Sequence, residues 1–185
     1  VAGCELITPP SELLSRQRQP APADALIDWL EAQADAADVW LIACEMLVYG
    51  GLIASRIGHE PADVLLGRLR RLRALHESRP MLPLLGFSLI TRISRHDDAA
   101  EEPDYWADYG SRLFRFSQLT DRQAQGDTVG AALAELQAQI PPEHLRDFLW
   151  RRARNYAVNL AALDLLADGV FETLVLSSDD TSEYG

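Results

Sequence analysis

Three stretches of this sequence end an apolar run in side chains that bind charge or move protons. "VWLIACEMLVYGGLIASR", Val39 to Arg56, carries Glu45, then Tyr49, Gly50, Gly51, Ser55 and Arg56. "PLLGFSLIT" runs into Arg92, with Ser94 and Arg95 behind it. "TLVLSS" runs into the pair Asp179-Asp180, followed by Thr181, Ser182, Glu183 and Tyr184. Carboxylates beside guanidiniums bind a polar substrate, and once burial separates their pKa values they divide the work of acid and base. On this pattern Asp179 and Asp180 are the expected acid/base or metal-orienting groups and Glu45 assists them. Paired carboxylates are also used to ligate hard cations and to hydrolyse glycosides. The substrate-binding set is Tyr49, Gly50, Gly51, Ser55, Arg56, Arg92 and Tyr184, joined by Arg154 and Asn155 from a helix in which Arg151, Asn155 and Asn159 share a spacing of four.

Each of these signals has a structural reading beside the chemical one. Glu45 also suits an ion-paired residue leaving the core, and Gly50-Gly51 a tight turn rather than a place where a ligand nears exposed N–H groups. Adjacent Asp residues cap helices and turns. Arg154 and Asn155 suit surface hydrogen bonding. The glycine pair is neither a dinucleotide fingerprint nor a nucleophile elbow. His59, His76, His96 and His144 have no metal-ligand spacing, and His96-Asp97-Asp98 reads as a solvated loop. Trp29, Trp40 and Trp150 read as packing, whereas Trp106 in "DYWADYG", with Tyr105 and Tyr109, suits a platform for a sugar.

Composition removes whole classes of function. The net charge of −11 argues against a nucleic-acid partner. All 17 basic residues are Arg, so no Schiff-base or P-loop lysine exists in this chain. An apolar fraction of 48%, with no uninterrupted run of the length a bilayer needs, gives a globular chain without a membrane partner. Cys4 and Cys44 lie in apolar runs and are expected as buried thiols without a disulfide, in a cytoplasmic setting. No organic cofactor is implied; a divalent metal on the Asp pair stays open.

The elements that must position these groups alternate. "CELIT", residues 4–8, is strand-like, and the segment from Ser11 to Pro22 is a loop or broken helical turn. "ADALIDWLEAQADAAD" is an amphipathic helix with Asp24 as its candidate cap. The apolar run from Val39 suits a strand covered on both faces. "PADVLLGRLRRLRALH", 61–76, is a helix with a leucine stripe at Leu65, Leu66, Leu69, Leu72 and Leu75 and a solvated face bearing Arg68, Arg70, Arg71 and Arg73. A strand at 83–91 follows, then an acidic loop, helices near 105–124 and 128–139, and a long helix after Pro141-Pro142. Its apolar face holds Leu145, Phe148, Leu149, Tyr156, Leu160, Leu163 and Leu166, and Gly169 stops it. "FETLVLS" is the last strand. The alternation predicts one α/β domain over residues 1–185, a mainly parallel sheet with helical crossovers, as an open Rossmann-like sheet or part of a β/α barrel. Ligands of such sheets bind at the carboxyl ends of the strands.

"CEMLVYGGLIASR", "RRARNYAVNLAALDLLADGVFETLVLSSDDTSEYG" and the "ITPP" opening together resemble the bacterial family catalogued as domain of unknown function 4127. The resemblance covers nearly the whole chain and rests on several motifs in order. It implies that Glu45 (often Asp in the family), Tyr49, Gly50, Gly51, Ser55, Arg56, Arg154, Asn155, Asp179, Asp180, Tyr184 and Gly185 are the family's positions. It also implies that this chain is an internal fragment, because family proteins look longer. It supplies no activity. The expectation is a hydrolase on a polar, carbohydrate-like substrate; the alternatives are a non-catalytic ligand-binding module and a divalent-metal-dependent phosphoester hydrolase.

Overall fold

In the computed structural model, which describes residues 3–179 and 182–185, the alternating runs form three parallel strands and the helices that connect them. Helix α1 (Ala23–Ala32) precedes β1 (Trp40–Ala43). Then come α2 (Cys44–Tyr49), α3 (Leu52–Ile57), α4 (Ala62–Ser78) and β2 (Leu84–Ile90). Helices α5 (Trp106–Ala124), α6 (Gly130–Gln137) and α7 (Pro142–Ala167) lead to β3 (Thr173–Ser178). The sheet is open, in the order β1-β2-β3, with Trp40 opposite Leu84 and Leu85 opposite Thr173. This is the expected α/β class with parallel pairing.

The helical layer covers one sheet face. Trp40, Ile42 and Leu84 are buried there with Ile27, Leu30, Leu65, Leu69, Leu72, Val158, Leu165 and Phe171. Leu41, Phe87 and Val175 share the other face by register and are exposed, so the strands are not covered on both sides as expected. Both crossovers run over the same face because consecutive parallel neighbours joined by right-handed connections put their helices on one side. A second cluster joins Ile93, Trp106, Leu113, Phe116 and Ile140 to Leu145 and Phe148 at the start of α7. Helix α7 therefore spans two cores, and the polar turn around Arg151, Arg154 and Asn155 lies where they meet.

Several expectations change in three dimensions. Residues 4–8 form no strand, and Leu6, Ile7 and Cys4 are exposed, because no neighbouring strand pairs with them. Cys44 alone is a buried thiol, and burial pushes it up to about 12. The strand of the opening stretch ends at Ala43, and Glu45 stands in the first turn of α2. Asp24 lies within α1 and makes no cap; it accepts hydrogen bonds from Arg68. Arg68 is buried rather than solvated: Asp24, Glu60 and the Val48 carbonyl take its donors. On α7 the inner stripe is Leu145, Phe148, Arg151, Arg154, Val158, Ala162 and Leu165, while Leu149, Tyr156, Leu160 and Leu163 face outward. Two stripes of 3.6-residue period compete on that helix, and the one whose arginines meet unpaired backbone carbonyls faces inward. Among the described residues no helix is long and apolar enough to cross a membrane.

Candidate functional site

The carboxyl ends of β2 and β3 bring Arg92 and Asp179 side by side. Asp179 accepts the Arg92 backbone N–H at 2.6 Å through Oδ1 and Nη2 of Arg56 at 3.3 Å through Oδ2. Arg56, in the last turn of α3, is buried and also donates to Glu101 at 2.9 Å. Around this core runs a small cleft enclosing about 30 Å³, lined by Arg56, Thr91, Arg92, Glu102, Arg151, Arg152 and Asn155, with Ile93, Trp106 and Phe148 as its apolar wall. Arg152 donates to the Thr91 carbonyl at 2.7 Å, and Arg151 donates to Asp147 at 2.8 Å while resting on His59.

Glu102 is the residue that sequence reasoning passed over. It is 7% exposed, its Oε1 has no hydrogen-bond partner, and it stands 3.6 Å from Arg56 Nη1, beyond hydrogen-bond reach. Burial pushes its carboxyl up to about 7; Arg56 and Arg92 oppose that and do not overcome it. Arg18 fixes the loop, donating to the carbonyls of Ala99 and Glu102 and to the Asp104 carboxylate. Asp97 ties its other end to the N–H and hydroxyl of Ser111. The signal available in "EEPDYW" is an acidic pair running directly into Pro103, Tyr105 and Trp106, which seat the end of the loop against the second core.

The other expected residues divide. Asn155 lines the cleft and donates to the Ser55 carbonyl at 3.0 Å. Arg154 stands behind it, donating to the carbonyls of Ser55 at 2.6 Å and Gly58 at 2.7 Å, with its guanidinium over the rings of Tyr49 and Trp150. Burial and then Arg151 lower the Arg154 pKa, and burial raises that of the Tyr49 phenol against the opposing charge of Arg154. The Ser55 hydroxyl is turned to Leu52 O of its own helix. Arg154, Tyr49 and Ser55 support the cleft from behind and do not line it.

Glu45, Gly50, Gly51 and Tyr184 do not line the cleft. Glu45 accepts from Leu89 N at 2.7 Å and Ser88 Oγ at 3.2 Å, and Asn159 donates to the same Ser88 hydroxyl; burial raises the Glu45 pKa. This half-buried network lies about 6 Å further along α7 than Asn155, one turn away. Gly50, at φ 78°, closes α2, and its carbonyl accepts the Ala21 N–H; a Cβ there would lie 2.4 Å from the Ala21 oxygen. Gly51, at φ 138°, backs onto Ser15. The pair makes a turn against the N-terminal segment, which fills the space a ligand would need. Tyr184 lies over Arg122 near the far end of α5, about 24 Å along that helix from Trp106. Asp180 lies outside the described residues.

Trp106 is no sugar platform. It is 2% exposed, packs on Phe148 and donates to the Ser94 carbonyl, while Tyr105 stacks on His144 and donates to Asp147. Among the described residues no group of three or more His, Cys, Asp or Glu side chains comes together in a way that could hold a metal ion.

A parallel sheet covered by helices on one face, with Arg92 and Asp179 beyond the carboxyl ends of its strands, makes this an α/β protein. The chain belongs to the family described as protein of unknown function (DUF4127), whose model matches residues 1–185. No curated protein and no solved structure matches this chain.

Proposed function

We propose that this protein is an enzyme, a hydrolase of a small polar substrate, working at the carboxyl ends of β2 and β3. Glu102 moves the proton, Arg56 and Arg92 with Arg152 and Asn155 bind the substrate, and Asp179 holds Arg56 and the Arg92 backbone in register. The supporting observation is Glu102 itself: a buried carboxyl raised to about 7, lining a cleft with one oxygen that accepts no hydrogen bond. A carboxyl that ionises near neutrality both gives and takes a proton under working conditions, which is what general acid/base catalysis requires. We extend the reading to a bacterial cytoplasmic enzyme, with which two cysteines not joined to each other are in keeping.

The test is turnover of chromogenic glycosides and esters by the intact protein and by Glu102→Gln. The expected result is a fall in kcat of about 100-fold or more in the variant, with KM little changed, and a break near pH 7 in the wild-type pH profile. Hydrolysis that survives the substitution at full rate removes the proposed role. Ligand binding without turnover of any kind replaces the enzyme with a binding module.

A further inference from the structure

Two ion-paired residues that line the cleft each carry a buried atom with no hydrogen-bond partner, and the two atoms are complementary. Arg56 Nε carries an N–H with nothing to receive it, and Glu102 Oε1, though 3.6 Å from Arg56 Nη1, accepts no hydrogen bond. Both residues are more than nine-tenths buried and both line the cleft. Orphaned buried polar groups cost about 1–3 kcal/mol each, so a guest that engages both repays their desolvation. Room for a water needs about 10–15 Å³ by the same measure. A space of about 30 Å³ therefore takes the two oxygens of one small oxyanion group rather than a whole sugar.

The charge around the space selects among oxyanions. Arg56, from α3, and Arg92, after β2, face it together with Arg151 and Arg152 of α7. Against them stand Glu101 of the loop, Asp179 after β3, and Asp147, paired to Arg151. With Glu102 neutral, the four guanidiniums exceed these three carboxylates by a single positive charge. One negative charge balances the site; two do not. The apolar wall of Ile93, Trp106 and Phe148 suits a carbon stem behind the anionic head.

We propose that the cleft binds a monoanionic carboxylate group, one oxygen of which accepts the Arg56 Nε–H and the O–H of a protonated Glu102. This deepens the hydrolase reading by giving its substrate, or product, a carboxylate, and it rests on that reading only for the word substrate. An ionised Glu102 faces the guest oxygen with a like charge and no proton, so the competent state is the protonated one. With Glu102 raised to about 7, its protonated fraction, and with it the apparent affinity, falls about tenfold between pH 6 and pH 8.

The experiment is titration of the intact protein with acetate and, separately, inorganic phosphate at pH 6 and pH 8, followed by heteronuclear NMR of the arginine side chains. Expected are acetate-dependent shifts of the Arg56 Nε–H, an affinity about tenfold weaker at pH 8, and loss of that pH dependence in Glu102→Gln with binding retained. The variant separates Glu102 from the imidazoles of His59 and His144, which lie against Arg151 and Tyr105. Phosphate, mostly a dianion at pH 8, binding tighter than acetate at that pH overturns the selection for one charge. An acetate affinity equal at the two pH values, or a pH dependence that persists in Glu102→Gln, overturns the shared proton. Acetate bound as described by a protein that hydrolyses nothing upholds this inference and sinks the hydrolase. An active hydrolase with pH-independent acetate binding does the reverse.

Discussion

Replacing Glu102 by Gln should make the protein more stable at pH 8 and leave it nearly unchanged at pH 5. The carboxyl rises from an ordinary 4.5 to about 7 on folding because burial disfavours its charged form. Between those two values the native state binds more protons than the unfolded chain, so stability falls as pH rises and the loss is complete above about pH 7. At about 1.4 kcal/mol per factor of ten in proton affinity, the gap is worth on the order of 3 kcal/mol. Gln keeps the shape and never ionises, so the variant escapes that loss. Urea unfolding of both proteins at pH 5 and pH 8 gives four free energies, and the variant's advantage should grow by about 3 kcal/mol between the two pH values. Glu45, also raised by burial, contributes equally to both proteins and cancels. Asp24, Asp97 and Asp147, all held below the usual carboxylate range, act only at lower pH. An advantage that is the same at both pH values, or a variant less stable at pH 8, refutes the claim that Glu102 is strained when charged.

Gly50→Ala puts a Cβ against the Ala21 carbonyl at a left-handed φ and should cost about 2–4 kcal/mol in urea unfolding at unchanged m. Arg154→Met takes one of two donors from each of the Ser55 and Gly58 carbonyls, which keep Asn155 and Arg151, and removes a cation from the rings of Tyr49 and Trp150; a loss of about 1–3 kcal/mol is expected by the same assay. A disulfide reagent should modify Cys4 in the native protein within seconds and Cys44 only upon unfolding, since one is exposed and the other is buried with its thiol raised to about 12. Fast reaction of two thiols per native chain would contradict the packing of α2 on β1.

The parallel sheet was legible because each long helix carried its own period: the leucines of α4 repeat at three and four, and Gly169, at φ 75°, ends α7 where a stop was expected. Helix α2 was hidden because its six residues continue the apolar run of β1 without a break, too short to show any period. The outward stripe of α7 misled for a related reason. Leucines normally mark the buried side, and only the carbonyls at the end of α3, invisible in a linear chain, explain why Arg151 and Arg154 displace them. The convergence of Arg56, Arg92 and Asp179 followed from parallel strand ends, a rule of topology. Glu102 did not follow from any local rule: in sequence it is one more acid in an acidic loop. Its burial depends on Arg18, far upstream, and on α7, far downstream.

The bond between Arg56 and Asp179 joins residues 123 positions apart, and every strand pairing behind it is also distant in the chain. Bringing β3 onto β2 means closing a connection of roughly 90 residues, an entropic toll collected before the reward of pairing arrives. The crevice is thus complete only when the final strand lies beside its neighbour. A nascent chain released before residue 173 holds Arg56, Arg92 and Glu102 but lacks the strand that carries Asp179 to them.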